Sequence, residues 1–467
     1  MRNILFFTLL LSLASCSEDF INLAPISQSN SANFYKTADD INQAVIAAYD
    51  ALQEGGQYAD NGFDHYMEVR SDNTYNDNVT QSAGNLSNFD NFALRSDNPR
   101  LNTTWSSCYR GIQRCNIVLN RIGAIEMDET IRNIRKGEVK FLRALTYFNL
   151  VRIWGDVPLV LNEIENTFEA FEHTRQPKDE VYAEIIKDLQ EAAAALPNSF
   201  DAANVGRATK GAAQTLLGKV YLTRGQYNEA ATILEQVINV GTYKLLDNFK
   251  AVFEVANKNN AESIFEVQFK SGTNGEGLNI TPPWDPSDAN NRPSNNILNF
   301  FVAENDPRLD MSVDTASGKP YSAKRVDVRG SDGAFGFNVM VLRYADVLLM
   351  AAEALNEVGY NNGKAFDYLN QVRSRVGVPT YTTATLPNQQ NFRLAIEKER
   401  RLELAFENHR WFDLLRTGRA LDVMKAAAGG NDASALAYTI TENQLLFPIP
   451  QTQIDASGGK LTQNPGY

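Results

Sequence analysis

Residues 208–240 carry Leu217-Gly218, Tyr221, Gly225, Tyr227, Ala230 and Leu234, offsets that suit two helices crossing closely. Gly218 and Ala230 fall where the two backbones would approach, and the aromatic and leucine side chains would fill the seam between them. Such a pair cannot bury its apolar face alone, so further helices must stack against it. A degenerate copy, offset by one inserted residue, runs through Ala351-Ala352, Leu355, Gly359 and Ala365, and a weaker one involves Ala144, Tyr147 and Phe148.

These offsets match the tetratricopeptide pattern. One good copy with weaker ones predicts a mainly α chain: a short tetratricopeptide-like helical scaffold, not a long solenoid, with long irregular loops and a few short strands. Helical periodicity elsewhere agrees. It predicts a helix from Thr37, whose hydroxyl and the Asp40 carboxylate would form a capping box, and helices at about 101–123, 131–153, 179–196, 343–359, 363–376 and 391–416. Ser263 to Phe269 has the β-branched and aromatic content of a strand. Two stretches break the pattern, 55–104 and 271–295, both rich in Asn, Asp and aromatics. Stretches that long between helices are seldom idle connections.

The N-terminus reads as an export signal. Arg2 precedes an apolar run from Ile4 to Ala14, followed by Leu13-Ala14-Ser15-Cys16. The run is far short of the roughly 20 apolar residues that span a bilayer as a helix. Small residues directly before a cysteine form a lipobox, in which the Cys16 thiol is acylated before cleavage exposes its amine. Residues 1–15 are therefore expected to be a signal peptide and Cys16 the lipid anchor. The remainder divides into an N-terminal helical-repeat region, 16–240, containing the variable loop 55–104, and a C-terminal region, 241–467. A formal net charge of -12 with no basic block argues against nucleic acid and anionic membrane surfaces as partners.

Cys108 and Cys115 lie on an apolar helical stripe with Trp105, Ile112, Leu119 and Ile122. Seven residues along a helix separate them by about 10 Å, beyond the roughly 7 Å limit for a disulfide, so two buried free thiols are expected. Catalytic motifs are missing: there is no H-E-x-x-H, G-x-S-x-G or P-loop, and the histidines are His65, His173 and His409. The glycine-rich 272–277 stretch lacks a Lys-Ser/Thr ending, and His409 with Asp413 has no third metal ligand nearby. The acidic run 72–77 misses the EF-hand glycine and glutamate. The densest charged group comprises Glu399, Arg400, Glu403, Glu407, Arg410 and Asp413. On one helix, Arg400–Glu403, Glu407–Arg410 and Arg410–Asp413 would be neighbours three apart, which reads as an ion-pair network locking that helix to the scaffold. No cofactor is called for.

Several segments in order resemble the SusD/RagB family of outer-membrane nutrient-binding lipoproteins. They are Tyr109-Arg110-Gly111-Ile112 with Cys115-Asn116, Phe141-Leu142-Arg143-Ala144 through Tyr147-Phe148, and Gly155-Asp156-Val157-Pro158-Leu159. Glu399-Arg400-Arg401 leads to Glu403-Leu404-Ala405-Phe406-Glu407 and Arg410-Trp411-Phe412-Asp413-Leu414, followed by Phe447-Pro448-Ile449-Pro450 and the closing Gln463-Asn464-Pro465-Gly466-Tyr467. The resemblance implies a non-enzymatic surface lipoprotein at the outer membrane. It would capture a nutrient, an oligosaccharide or in some relatives a peptide, for a SusC-like TonB-dependent channel that it covers like a lid. The competing readings are a surface-anchored hydrolase, which would need a catalytic constellation, and a helical adaptor with no small ligand.

Sugar rings offer apolar faces to aromatic side chains and hydroxyl rims to Asn, Asp and Arg. The candidate ligand residues are accordingly Trp284, Tyr75, Asn76 and Asp77, with Arg70 and Asp72 as polar partners. The expected site lies where the 55–104 loop approaches the 271–295 loop. Asp314-Thr315-Ala316 resembles a short bacterial O-glycosylation sequon.

Overall fold

The computed structural model describes residues 34–59, 62–77, 85–272, 275–280, 291–316, 318–324, 326–428 and 438–467. Cys16 and Trp284 lie outside the described residues. Among the described residues nine helices build the scaffold: α1 Ala38–Asp50, α2 Pro99–Arg121, α3 Glu129–Trp154, α4 Lys178–Ala195, α5 Lys210–Thr223, α6 Tyr227–Val240, α7 Tyr344–Val358, α8 Gly363–Arg375 and α9 Gln389–Glu403. They stack in chain order, each packing on the next through α8, and α9 packs on α7. Thr37 closes the capping box with Asp40 at the start of α1. No helix among the described residues is long and apolar enough to cross a membrane.

The constraint read at Gly218 is physical. A Cβ there would lie 2.5 Å from a Leu234 methyl, so any side chain would have to displace Leu234 from the α5–α6 seam. Gly225, at φ 70°, makes the left-handed turn between them. Cys108 and Cys115 are buried and unlinked, and burial pushes both thiols up to about 12. They are packing residues of α2, as their spacing predicts.

Eight short strands pair only two by two among the described residues: β1 Thr74–Tyr75 with β5 Arg292–Pro293, β2 Val157–Pro158 with β3 Arg175–Gln176, β4 Ser263–Val267 with β8 Val339–Arg343, and β6 Val313–Asp314 with β7 Tyr321–Ser322. All four pairs are antiparallel. The C-terminal tail returns to the N-terminal half. Trp154 donates its indole N–H to the Pro448 carbonyl at 2.9 Å, and the Asn464 amide donates to the Trp154 and Phe447 carbonyls at 2.9 and 2.7 Å. The Asn-Pro-Gly-Tyr ending is thus a clasp between the two regions of the chain.

The continuous helix expected at 391–416 is a misreading. α9 stops at Glu403 and α10 runs from Arg410 to Arg416. Between them Phe406 and Asn408 adopt φ of 65° and 64°, a region costly for a bulky residue. The buried Glu68 carboxylate accepts the Phe406 and Asn408 N–H groups at 3.2 and 2.7 Å, which holds the turn. Periodicity missed the break because both flanks keep a helical pattern. None of the three expected i,i+3 pairs is the one observed, not even Arg400–Glu403, which lies within α9. Arg400 instead bonds Asp346 and Asp413. Glu407 meets Arg343 and Lys324, and Arg410 meets Asp72 and Glu397.

Those charges nevertheless form a network that ties distant elements together, and it is buried. Arg343, at the end of β8, donates to Glu262, Glu403 and Glu407 at 2.8, 2.7 and 2.6 Å. Arg308 bonds Asp306, Glu399 and Glu403, and Arg375 bonds Glu262 and Glu403. Arg343 and Arg308 are among the largest fully buried side chains. Such groups are tolerated inside only because nearly every donor finds a carboxylate.

Candidate functional site

The two long loops meet. Thr74 pairs with Pro293 and Tyr75 with Arg292, so the 55–104 segment adds a strand to the one leaving 271–295. Both strands are two residues long, and what fixes them lies at their ends. Ser294 donates its N–H to the Asn73 carbonyl at 2.8 Å and its hydroxyl to the Asp72 carbonyl at 2.7 Å. Arg292 lies 3.3 Å from the Asp77 carboxylate, which also pairs with Lys319 from the β6–β7 turn. Strand β7 packs beside β5. Three chain segments therefore converge, carrying half-buried Tyr75 and Tyr321 beside exposed Asp77 and Lys319.

The candidate residues divide by burial. Tyr75 and Asp77 reach the surface of this junction. Arg70, Asp72 and Asn76, read from the sequence as ligand contacts, are buried and bonded inside the fold. Arg70 is 0% exposed, with its guanidinium 4.4 Å from the Phe92 ring centroid, 4.6 Å from Phe447 and 5.1 Å from Trp411. It donates to the Phe89 and Gln444 carbonyls. It is a cation in an aromatic box, stitching the loop to the C-terminal tail. Asp72 is held by Arg410 through both oxygens, at 2.8 and 3.0 Å, and by Arg401 at 2.9 Å. Burial alone would raise its carboxyl, but the two guanidiniums outweigh that and hold it at about 2. Asn76 is buried, and its N–H donates to Asp90 at 2.8 Å. Burial pushes Asp90 up to about 7.

Sequence reasoning missed Arg292, Lys319 and Tyr321. The β6–β7 hairpin has two residues per strand, too few for alternation to register. Thr315 is exposed in its turn, where the Ala316 N–H bonds the Asp314 carboxylate at 2.7 Å. No three His, Cys, Asp or Glu side chains converge as metal ligands among the described residues. The acidic run 72–77 instead spends its end carboxylates on arginine and lysine.

The described residues thus form a stacked-helix scaffold with a buried charge network, and two of its irregular loops join at an aromatic and polar junction. Two family models match in succession: residues 19–222 match "Starch-binding associating with outer membrane" and residues 303–467 match the SusD family. Between them they cover most of the chain, which belongs to the SusD family. It is 28% identical to SusD-like protein P2 of Formosa agariphila, with 99% of each chain covered. Among solved structures it resembles a laminarin binding SusD-like protein (28% identity, TM-score 0.77, 93% of this chain and 100% of that one). It also resembles surface glycan-binding protein A from Bacteroides fluxus (26%, TM-score 0.78, 92% and 100%).

Proposed function

We propose that this chain is a lipoprotein, held at the cell surface by acyl chains on Cys16, that captures a glycan and passes it to a SusC-like TonB-dependent outer-membrane channel. The observation that carries the reading is the β1–β5 junction. It joins the two loops that combine aromatics with Asn and Asp, and it belongs to a scaffold shared with relatives named for glycan and laminarin binding. Tyr75 and Trp284 supply stacking faces, and Asp77 bonds sugar hydroxyls. Trp284 stands eight residues before Arg292 in sequence, close enough to serve the same junction.

Two measurements test this. Stacking a ring on an aromatic face is worth about 1–3 kcal/mol by analogy with nucleobases. Trp284→Ala should therefore weaken glycan binding roughly five- to hundred-fold, with the melting curve unchanged, and Tyr75→Ala should act in the same direction. Titration of the purified protein against a panel of polysaccharides and peptides reads this directly. Full affinity in both variants would move the site elsewhere. Separately, Cys16→Ala should abolish metabolic labelling with a fatty acid and release the protein from membranes. Unchanged labelling would remove the anchor assignment.

A further inference from the structure

Beside the junction lies an open groove of about 660 Å³ whose charge differs from that of the chain. It shares Asp72 with the segment entering β1 and Asn296 with the segment leaving β5. Along it runs an alternating array. Arg401 pairs with Asp72 at 2.9 Å, Asp72 with Arg410 at 2.8 Å, Arg410 with Glu397 at 3.1 Å, and Glu397 with Arg419 at 2.8 Å. Three guanidiniums thus share two carboxylates, so the array ends in a cation on both sides. The inner end is closed, because Arg401 also donates to Asn73 and Asn296. The outer end is open: the Arg419 side chain is 41% exposed, and Lys398, 26% exposed and paired with Glu304 at 2.8 Å, lines the same groove. Half-buried Phe300 and Tyr381 supply aromatic wall. In a chain of formal net charge -12, a groove whose charge array ends with one surplus cation is a local specialisation.

We infer that this groove takes the anionic group of an acidic sugar, a uronate carboxylate or a sulfate ester, with Arg419 and Lys398 as its donors. A guanidinium fork matches the paired oxygens of either group. An anion bound there extends the array from five alternating charges to six, leaving no surplus. This rests on the glycan reading above and narrows it from glycans to acidic glycans.

Three probes test it by calorimetry: an oligogalacturonate hexamer, a sulfated galactan hexasaccharide and neutral laminarihexaose. At low salt at least one charged probe should bind about tenfold or more tighter than the neutral one, and the advantage should shrink steeply at about 0.5 M NaCl, where the Debye length is only a few ångströms. Arg419→Gln and Lys398→Gln should each remove most of that advantage while leaving laminarihexaose binding and the melting curve unchanged. Whichever charged probe responds identifies the anion as carboxylate or sulfate. Laminarihexaose binding as tightly as both charged probes would overturn the inference and leave the glycan reading intact. Charged-probe binding unaffected by Arg419→Gln and Lys398→Gln but lost in Trp284→Ala would overturn the groove. Failure of all three probes would overturn the inference, and with peptides bound instead the glycan reading would fall too.

Discussion

Arg343→Ala should cost about 3–5 kcal/mol of stability, the range seen when one partner of a buried ion pair is removed. Its guanidinium is 1% exposed and serves three carboxylates on two separate parts of the chain, Glu262 on one and Glu403 and Glu407 on the other. Alanine leaves Glu407 facing Lys324 alone, and Glu403 and Glu262 sharing what Arg375 and Arg308 supply. The expected reading is a large fall in the urea midpoint with a glycan affinity near wild type in the folded fraction. Acid should act the same way. Burial would raise the Glu407 carboxyl, yet Arg343 and Lys324 hold it at about 2, below its ordinary value near 4.5. The folded-state pKa is depressed, so this contribution is complete above about pH 4.5 and fades as pH falls toward 2. A variant that melts within about 1 kcal/mol of wild type would show that the cluster is not holding the fold.

Asp72→Ala should be comparably damaging, for the converse reason. It strips two buried guanidiniums, Arg401 and Arg410, of the carboxylate they share. Asp72 lies where the first loop enters β1, and both arginines lie more than 300 positions further along the chain. The pair of contacts therefore closes the fold around the junction. About 3–5 kcal/mol is again expected, whereas Asp72→Asn, which keeps the shape and one acceptor, should lose less. Chemical denaturation of the three proteins separates the structural role from a ligand role. Wild-type stability in Asp72→Ala together with lost glycan binding would return Asp72 to the ligand face.

These two residues mark where sequence reasoning reached and where it stopped. Gly218 against Leu234, the Thr37 cap and the cysteine stripe of α2 were legible because each depends on residues within one helix or one helical pair. The long loops were legible as interruptions, and their composition marked Tyr75 and Asp77 among the surface residues. Arg70, Asp72 and Asn76 share that composition, yet the structure spends them inside. Composition reports what a side chain can bond, and only the fold decides which partner arrives first. The same holds for Glu403 and Glu407: Glu403 shares α9 with Arg400 yet bonds Arg343, and the turn at Phe406 and Asn408 takes Glu407 away from Arg410 and to Arg343 as well.

By itself the sequence determined the helical scaffold, the order of its elements and the family resemblance. All of these follow from short-range periodicity or contiguous motifs. Tertiary structure decided that the 74–75 and 292–293 segments pair, that the tail clasps α3, and which guanidinium meets which carboxylate. The reason lies in the range of the forces. A helix is specified by neighbours three and four residues apart, whereas a buried charge is satisfied by whatever the packed chain brings within about 3 Å, and that depends on every element at once.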